Sequence, residues 1–404
     1  MTTAKSERTH ICLFGRTNVG KSSILNLIAK QDVSIVSEIA GTTTDVVEKV
    51  MELAPIGAVV IVDTAGIDDT SELGSERKRK TELIYRKCDF AVLIVEPNKW
   101  TEYEENVIVQ LNHFDIKFAI LINKIDLQQP SIEFIGKMHS IANGYVMQIS
   151  ATTTVSTDLI NQLTTTISKL LPDLADDTNM LAGLIAPNDT VLFVTPIDTG
   201  APKGRMILPQ VQALRAVLDI NAIAIFVQVA EYQQTLRLLH TPPKIVVTDS
   251  QVINEVVELS PPEQLLTTFS ILLARLKGDF AVEARSAYIL KDIKKDAKIL
   301  IAEACSHHQQ KDDIAKVKFP KLLEKYCGFM PQIDYCNGRD FPANIADYNL
   351  IIHCGACMLT RTEKLNRVRI ATDAGVPLTN FGMALSFLNG HYDRVLEPFT
   401  NELE

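Results

Sequence analysis

A chain of 404 residues has room for about two to three domains, and its 46% hydrophobic and 22% charged residues suit a folded protein that buries its cores without staples. A formal charge of −9 argues against a nucleic-acid scaffold, and apolar runs such as Ile220–Ala230 are too short to span a bilayer, so neither nucleic acid nor membrane is expected as a partner. The polar start, Met1–His10, and seven cysteines, an odd number, predict a cytoplasmic chain whose thiols serve metal or redox chemistry rather than a disulfide framework.

From residue 9 to about 172, apolar runs alternate with amphipathic stretches. Ile11–Phe14 predicts a strand that enters a glycine-rich loop, and Ser22–Lys30 a helix. Val59–Val62, Phe90–Val95, Phe118–Ile122 and Val146–Ile149 read as further strands, each followed by a polar motif. This rhythm predicts a mainly parallel sheet covered on both faces, with ligands beyond the carboxyl ends of the strands. Leu171-Pro172-Asp173 and Ala175-Asp176-Asp177 read as a linker. A second α/β pattern follows: strands at Thr190–Thr195, Ala222–Val229 and Lys244–Val247, helices at Met206–Leu218 and Tyr232–Leu239, then helices at 251–258 and 263–276. Val191, Phe193, Ile223, Ile225 and Val227 can form its core or extend a sheet across a subunit boundary. The third segment offers strands at Lys298–Ala304, Ile333–Cys336 and Asn349–Ile352, then helices at Leu359–Ala374 and Met383–Leu388. The expected boundaries are 1–174, 175–278 and 279–404.

Gly15-Arg16-Thr17-Asn18-Val19-Gly20-Lys21-Ser22 fits the phosphate-loop pattern between a strand and a helix, where backbone N–H groups and the helix dipole cradle phosphates. Gly15, Asn18, Val19, Gly20 and Ser23 line the expected pocket, Lys21 reaches the β- and γ-phosphates, and Ser22 ligates Mg2+. Asp63-Thr64-Ala65-Gly66 supplies Asp63 for Mg2+ and the Gly66 N–H for the γ-phosphate. Thr43, in Gly41-Thr42-Thr43-Thr44-Asp45, is the expected first-switch threonine on Mg2+. Asn123-Lys124-Ile125-Asp126 gives base specificity, because the Asp126 carboxylate accepts from both N1–H and the 2-amino group of guanine. Ser150-Ala151 places a backbone N–H near guanine O6. Five boxes in register predict a GTP site. The fold class is therefore α/β, a P-loop GTPase domain followed by two smaller α/β domains with mainly parallel sheets.

A second constellation lies near the end: Cys305-Ser306-His307 and His353-Cys354-Gly355-Ala356-Cys357. If the strands before Cys305 and His353 are parallel neighbours, their ligands meet at one sheet edge. A structural Cys3His zinc site, a 4Fe–4S cluster on three cysteines with a weak fourth ligand, and separate buried thiols all remain open on spacing alone. His307, His353 and Asp312 are candidates for the fourth position, while Cys327 and Cys336 read as core or loop thiols.

Residues 9–172 resemble the GTPases that include the tRNA-modification GTPase MnmE and the ribosome-assembly GTPase Era. Ile67 stands where Ras-like enzymes place a water-orienting glutamine. In MnmE-like enzymes an asparagine matching Asn18 helps hold K+ beside the phosphates. That resemblance implies K+ on Asn18 and on carbonyls near 37–42, with Lys21, Gly66 and Asn18 as the catalytic groups. Taken with the terminal cysteine motif, the order of boxes resembles the HydF family of [FeFe]-hydrogenase maturation GTPases over nearly the whole chain. The resemblance implies a dimerising middle domain and a 4Fe–4S cluster on Cys305, Cys354 and Cys357. It also implies a di-iron precursor as cargo, received from HydE-like and HydG-like radical-SAM maturases and passed to apo-[FeFe]-hydrogenase. The competing reading is an RNA- or ribosome-associated GTPase with a zinc-stabilised tail. The lysines of 280–300, interrupted by acids, favour a solvated face over the basic surface it needs.

Overall fold

The computed structural model describes residues 5–29, 37–39, 47–64, 82–171, 179–196, 206–304, 314–338 and 341–403. The chain forms two compact units, Met1–Asp177 and Thr178–Glu404.

In the first unit the elements are β1 (Thr9–Phe14), α1 (Lys21–Ala29), β2 (Ser37–Ile39), β3 (Val47–Leu53), β4 (Gly57–Asp63), β5 (Phe90–Val95), α2 (Glu102–His113), β6 (Lys117–Ile122), α3 (Ile132–Ile141), β7 (Val146–Gln148) and α4 (Ser156–Leu170). The sheet runs β2-β3-β4-β1-β5-β6-β7, antiparallel across β2, β3 and β4 and parallel beyond. Every residue of β1 and β5 is buried, as expected of strands covered on both faces. Ile11 and Leu13 pack with Ile24 of α1 and Leu159 of α4 on one face. Cys12 and Phe14 pack with Leu111 of α2 and Met138 of α3 on the other. The antiparallel β2–β3 arm is an addition to the expected elements. Val-Glu-Lys-Val-Met-Glu-Leu in β3 carries charges between its buried positions and lacks an apolar run.

The second unit contains β8 (Thr190–Val194), α5 (Leu208–Asp219), β9 (Ile223–Val227), α6 (Val229–Leu238), β10 (Ile245–Thr248), α7 (Ile253–Leu259), β11 (Leu266–Thr268) and α8 (Phe269–Lys277). These give a parallel sheet in the order β11-β10-β8-β9. Next come α9 (Phe280–Ala287), β12 (Lys298–Glu303), α10 (Phe319–Cys327), β13 (Gln332–Asn337), β14 (Leu350–His353), α11 (Arg361–Asp373), β15 (Leu378–Asn380), α12 (Phe381–Leu388) and α13 (Tyr392–Leu396). Their sheet, β13-β12-β14-β15, is also parallel throughout. The expected helix over 263–276 starts later. Leu266-Thr267-Thr268 pairs with Val246–Thr248, and the Thr268 hydroxyl then caps α8 by accepting from the Ile271 N–H. Asn380 does the same between β15 and α12.

One apolar cluster runs through both four-stranded sheets, joining Phe193, Phe269 and Leu272 to Ile301, Ile352 and Met383. Gly278 lies at the junction, where a Cβ would strike the Glu283 carboxylate and stand 3.0 Å from the Ala274 carbonyl. Strand β9 is an edge, and its first residue, Ile223, is 52% exposed. No helix among the described residues is long and apolar enough to cross a membrane.

Candidate nucleotide site and candidate metal centre

The phosphate loop leaves β1 at Gly15 and enters α1 at Lys21, with Asn18 at φ +65° and Gly20 at φ +105°. A Cβ on Gly20 would collide with the Asn123 amide. That amide binds the loop instead: Asn123 Nδ2 donates to the Val19 carbonyl at 2.9 Å, and Asn123 Oδ1 accepts from the Ala151 N–H at 3.0 Å. One buried side chain thereby joins three of the predicted boxes. Lys21 is buried, and its ammonium donates to the carbonyls of Gly15 and Arg16. Ser22 Oγ donates to Asp63 Oδ2 at 2.6 Å, so the hydroxyl and carboxylate expected on Mg2+ already share one point. Ser23 is exposed in the first turn of α1.

Lys124, at φ +64°, donates to the Asn18 carbonyl and to Glu96 Oε1, both at 2.6 Å. Lys124 in turn holds the Glu96 carboxyl below its ordinary range. Asp126 is exposed, and hydrogen bonds from Ser150 and Thr152 hold its carboxyl below the usual aspartate range despite some desolvation. Arg16 Nε donates to the fully buried Glu104 at 2.6 Å. Glu96 and Thr152 belong to no sequence motif, and Glu104 belongs only to the capping box Thr101-x-x-Glu104, which does not announce its bond to Arg16. Glu96 had one available signal, its place directly after a buried strand. Thr43 and Gly66 lie outside the described residues.

In the second unit, β12 and β14 are parallel neighbours with Ala302 opposite His353. The strand order reverses between them, which is where open α/β sheets form a crevice. The Cys354 N–H donates to the Ala302 carbonyl at 2.9 Å, and Cys354 Sγ accepts from the Ala304 N–H at 3.0 Å. Ala304 is the residue before Cys305, which together with His307 and Asp312 lies outside the described residues. Burial and the neighbouring Cys354 raise the Cys357 thiol, and Lys277 opposes them. The two sulfurs of the C-x-x-C turn therefore sense one another.

His353 is fully buried, and both ring nitrogens are engaged: Nδ1 with the Cys354 carbonyl at 2.7 Å and Nε2 with Arg367 at 3.0 Å. A guanidinium can only donate, so Nε2 accepts and Nδ1–H donates. In this arrangement His353 has no nitrogen lone pair to give a metal; it props the backbone of Cys354. Arg367 also donates to the Gly338 carbonyl at 2.7 Å, a role that no motif announces. Among the described residues no group of three His, Cys, Asp or Glu side chains is set for a metal ion. Two thiols on a tight turn, one already accepting an N–H hydrogen bond, nonetheless suit a soft metal or cluster.

Residues 281–398 match the hydrogen maturase F tetramerization domain, 180–278 the hydrogen maturase F dimerization domain, and 10–124 the 50S ribosome-binding GTPase family. The chain belongs to the hydrogen maturase F family. Its residues 10–124 carry the match to a GTPase domain. A probable tRNA modification GTPase MnmE from Cyanidium caldarium is 35% identical over 162 residues, 39% of this chain and 34% of that protein. The tRNA modification GTPase MnmE of Streptococcus pyogenes serotype M5 (strain Manfredo) is 29% identical over 259 residues, 63% of this chain and 48% of that protein. The chain thus spans about half or less of the curated relatives it matches. An Era variant from Aquifex aeolicus, solved with GDP and AlF4−, aligns with 57% of this chain and 98% of its own at 20% identity and a TM-score of 0.33.

Proposed function

We propose that the chain is a cytoplasmic, GTP-regulated scaffold that carries a 4Fe–4S cluster and receives a di-iron precursor for delivery to apo-[FeFe]-hydrogenase. Three segments share the work: 1–174 binds GTP and Mg2+, 175–278 pairs the chain with a second copy, and 279–404 holds the cluster. HydE-like and HydG-like radical-SAM proteins supply the cargo. The observation that carries the reading is the meeting of the Cys354 sulfur with the end of β12, the strand that leads to Cys305, in a chain of this family.

Cys305, Cys354 and Cys357 would hold the cluster, and three protein thiolates would leave one coordination position exchangeable for the cargo. Because His353 is committed to Arg367 and Cys354, the fourth position falls to His307, a carboxylate such as Asp312, or an exchangeable ligand. With nucleotide bound, Lys21 and the Gly66 N–H would serve the γ-phosphate, Ser22, Thr43 and Asp63 would hold Mg2+, and Asn18 with first-switch carbonyls would hold K+, which supplies positive charge against the developing negative charge. Ile67 cannot orient water, which favours slow hydrolysis and a switch. GTP biases residues 37–45 and 63–75, and by linkage a partner that prefers one nucleotide state must alter nucleotide affinity by the same factor.

Anaerobic reconstitution with iron and sulfide tests the proposal. The wild-type protein should turn brown and give the electron paramagnetic resonance signal of a reduced 4Fe–4S cluster. Cys354→Ala should lose that signal while GTP hydrolysis continues. Retention of zinc in place of iron by the wild-type protein would return the zinc reading.

A further inference from the structure

We propose that Lys277 is a positioning residue for the cysteine loop, reaching from the last turn of α8 to fix the backbone between Cys357 and Leu359. Its side chain is 4% exposed, and lysine is rarely buried so deeply without a purpose for its charge. The ammonium donates to the Leu359 carbonyl at 3.1 Å and approaches the Cys357 carbonyl at 3.5 Å. These carbonyls belong to the turn that joins β14 to α11, and that turn needs outside support. Ala356 sits at φ +55°, an uncommon conformation for a residue with a Cβ.

One helical turn earlier on the same face of α8, Leu273 meets the loop a second time. A Cβ on Gly355 would stand 3.3 Å from its Cδ1. Leu273 and Lys277 therefore grip both sides of Ala356. The helix that carries them is firmly seated at its other end, where Phe269 stacks on Phe193 at 5.6 Å and Phe193 stacks on Phe226 of β9 at 4.4 Å. The residues that shape the cysteine loop thus include a helix from the segment matching the dimerization domain. Whatever the loop binds inherits its geometry partly from outside the segment that supplies the ligands. The consequence for a cluster rests on reading Cys354 and Cys357 as iron ligands; the consequence for the loop does not.

The test uses the full-length protein with Lys277→Met and Lys277→Gln, after thermal unfolding has established that each folds. In the apoprotein, hydrogen–deuterium exchange over 354–360 should be about tenfold faster in the Met variant, the factor that goes with one lost hydrogen bond. Gln retains donors and should restore much of the protection. Strand β12 should exchange as in wild type. After reconstitution, a ferrous chelator should strip iron about tenfold faster from the Met variant. Both variants should show a more negative midpoint potential, because both lack the charge beside the thiolates. Exchange and iron release equal to wild type in the Met variant would overturn the proposal, as would faster exchange spread evenly over the whole unit. If the wild-type protein takes up no iron while the loop still loosens in the Met variant, the cluster reading fails and the positioning role stands.

Discussion

Asp126 shows how an exposed carboxylate is kept ready. Hydrogen bonds from Ser150 and Thr152 favour its ionised form, so its acceptor character persists as pH falls through the ordinary aspartate range and is lost only below it. Asp126→Asn places a donor where the guanine N1–H and 2-amino group need acceptors. GTP affinity should fall on the order of 100-fold, and xanthosine triphosphate, with an oxygen in place of the 2-amino group, should bind better than GTP. Competition against a fluorescent guanine nucleotide reads both effects, and unchanged GTP affinity would remove Asp126 from base recognition. His353 is the opposite case. Burial, followed by the charge of Lys364 and Arg367, lowers its pKa from 6.5 to about 4, against the opposing pull of Cys354. Its folded-state pKa lies below the unfolded one, so the neutral ring stabilises the fold above about pH 6.5. That stability drains away toward pH 4. Urea unfolding of the apoprotein should show a loss of about 2 kcal/mol between pH 7 and pH 5, and His353→Gln should flatten that slope.

At the scale of the element, α2 is tied to the phosphate loop. Glu104 closes a capping box with Thr101 and accepts from Arg16 at 2.6 Å, with no exposed surface of its own. Glu104→Ala should strip the cap and leave a partly buried guanidinium without its closest carboxylate, costing about 3 kcal/mol and lowering the melting temperature of the first unit by roughly 6–12 °C. Calorimetry on the full chain would measure it. This tie left no mark in the sequence, because Glu104 acts across 88 positions through a contact that only folding creates. The glycine-rich loop and its boxes were legible, since each follows a buried apolar run and its chemistry is local. Strand β11 was not. Gln264–Lys277 keeps a helical apolar rhythm throughout, and the ladder to β10 claims its first three strand residues against that rhythm. Helix α10, opened by Phe319-Pro320, was equally hidden, because a proline in the first turn reads as a break until the helix is seen to begin there. For the cysteines, the convergence of β12 and β14 was readable as a conditional, and the parallel register supplies the condition. The engagement of both His353 nitrogens was beyond reach, since nothing in the spacing reveals that Arg367 faces the ring.

On the scale of the whole molecule, the exposed edge of β9 is the feature that asks for a second chain. Among the described residues β9 pairs only with β8, and its apolar run Ile-Ala-Ile-Phe-Val starts at the exposed Ile223, a combination natural proteins normally blunt with charge or cover with another strand. Pairing two such edges fits the dimerization domain matched by 180–278. Ile223→Lys should lower the mass of the assembly in light scattering after gel filtration, and a variant of wild-type assembly mass would move the interface elsewhere.

The common interior of the two four-stranded sheets bears on descent as well as on folding. A genetic crossover at Gly278, where the two family matches meet, would sever each half of that interior from the half shaped to fill it. A crossover between residues 171 and 179, at the seam between the compact units, leaves both interiors whole. Lineages that fuse this GTPase to new modules should break there, with both following sheets passing to offspring as one indivisible inheritance.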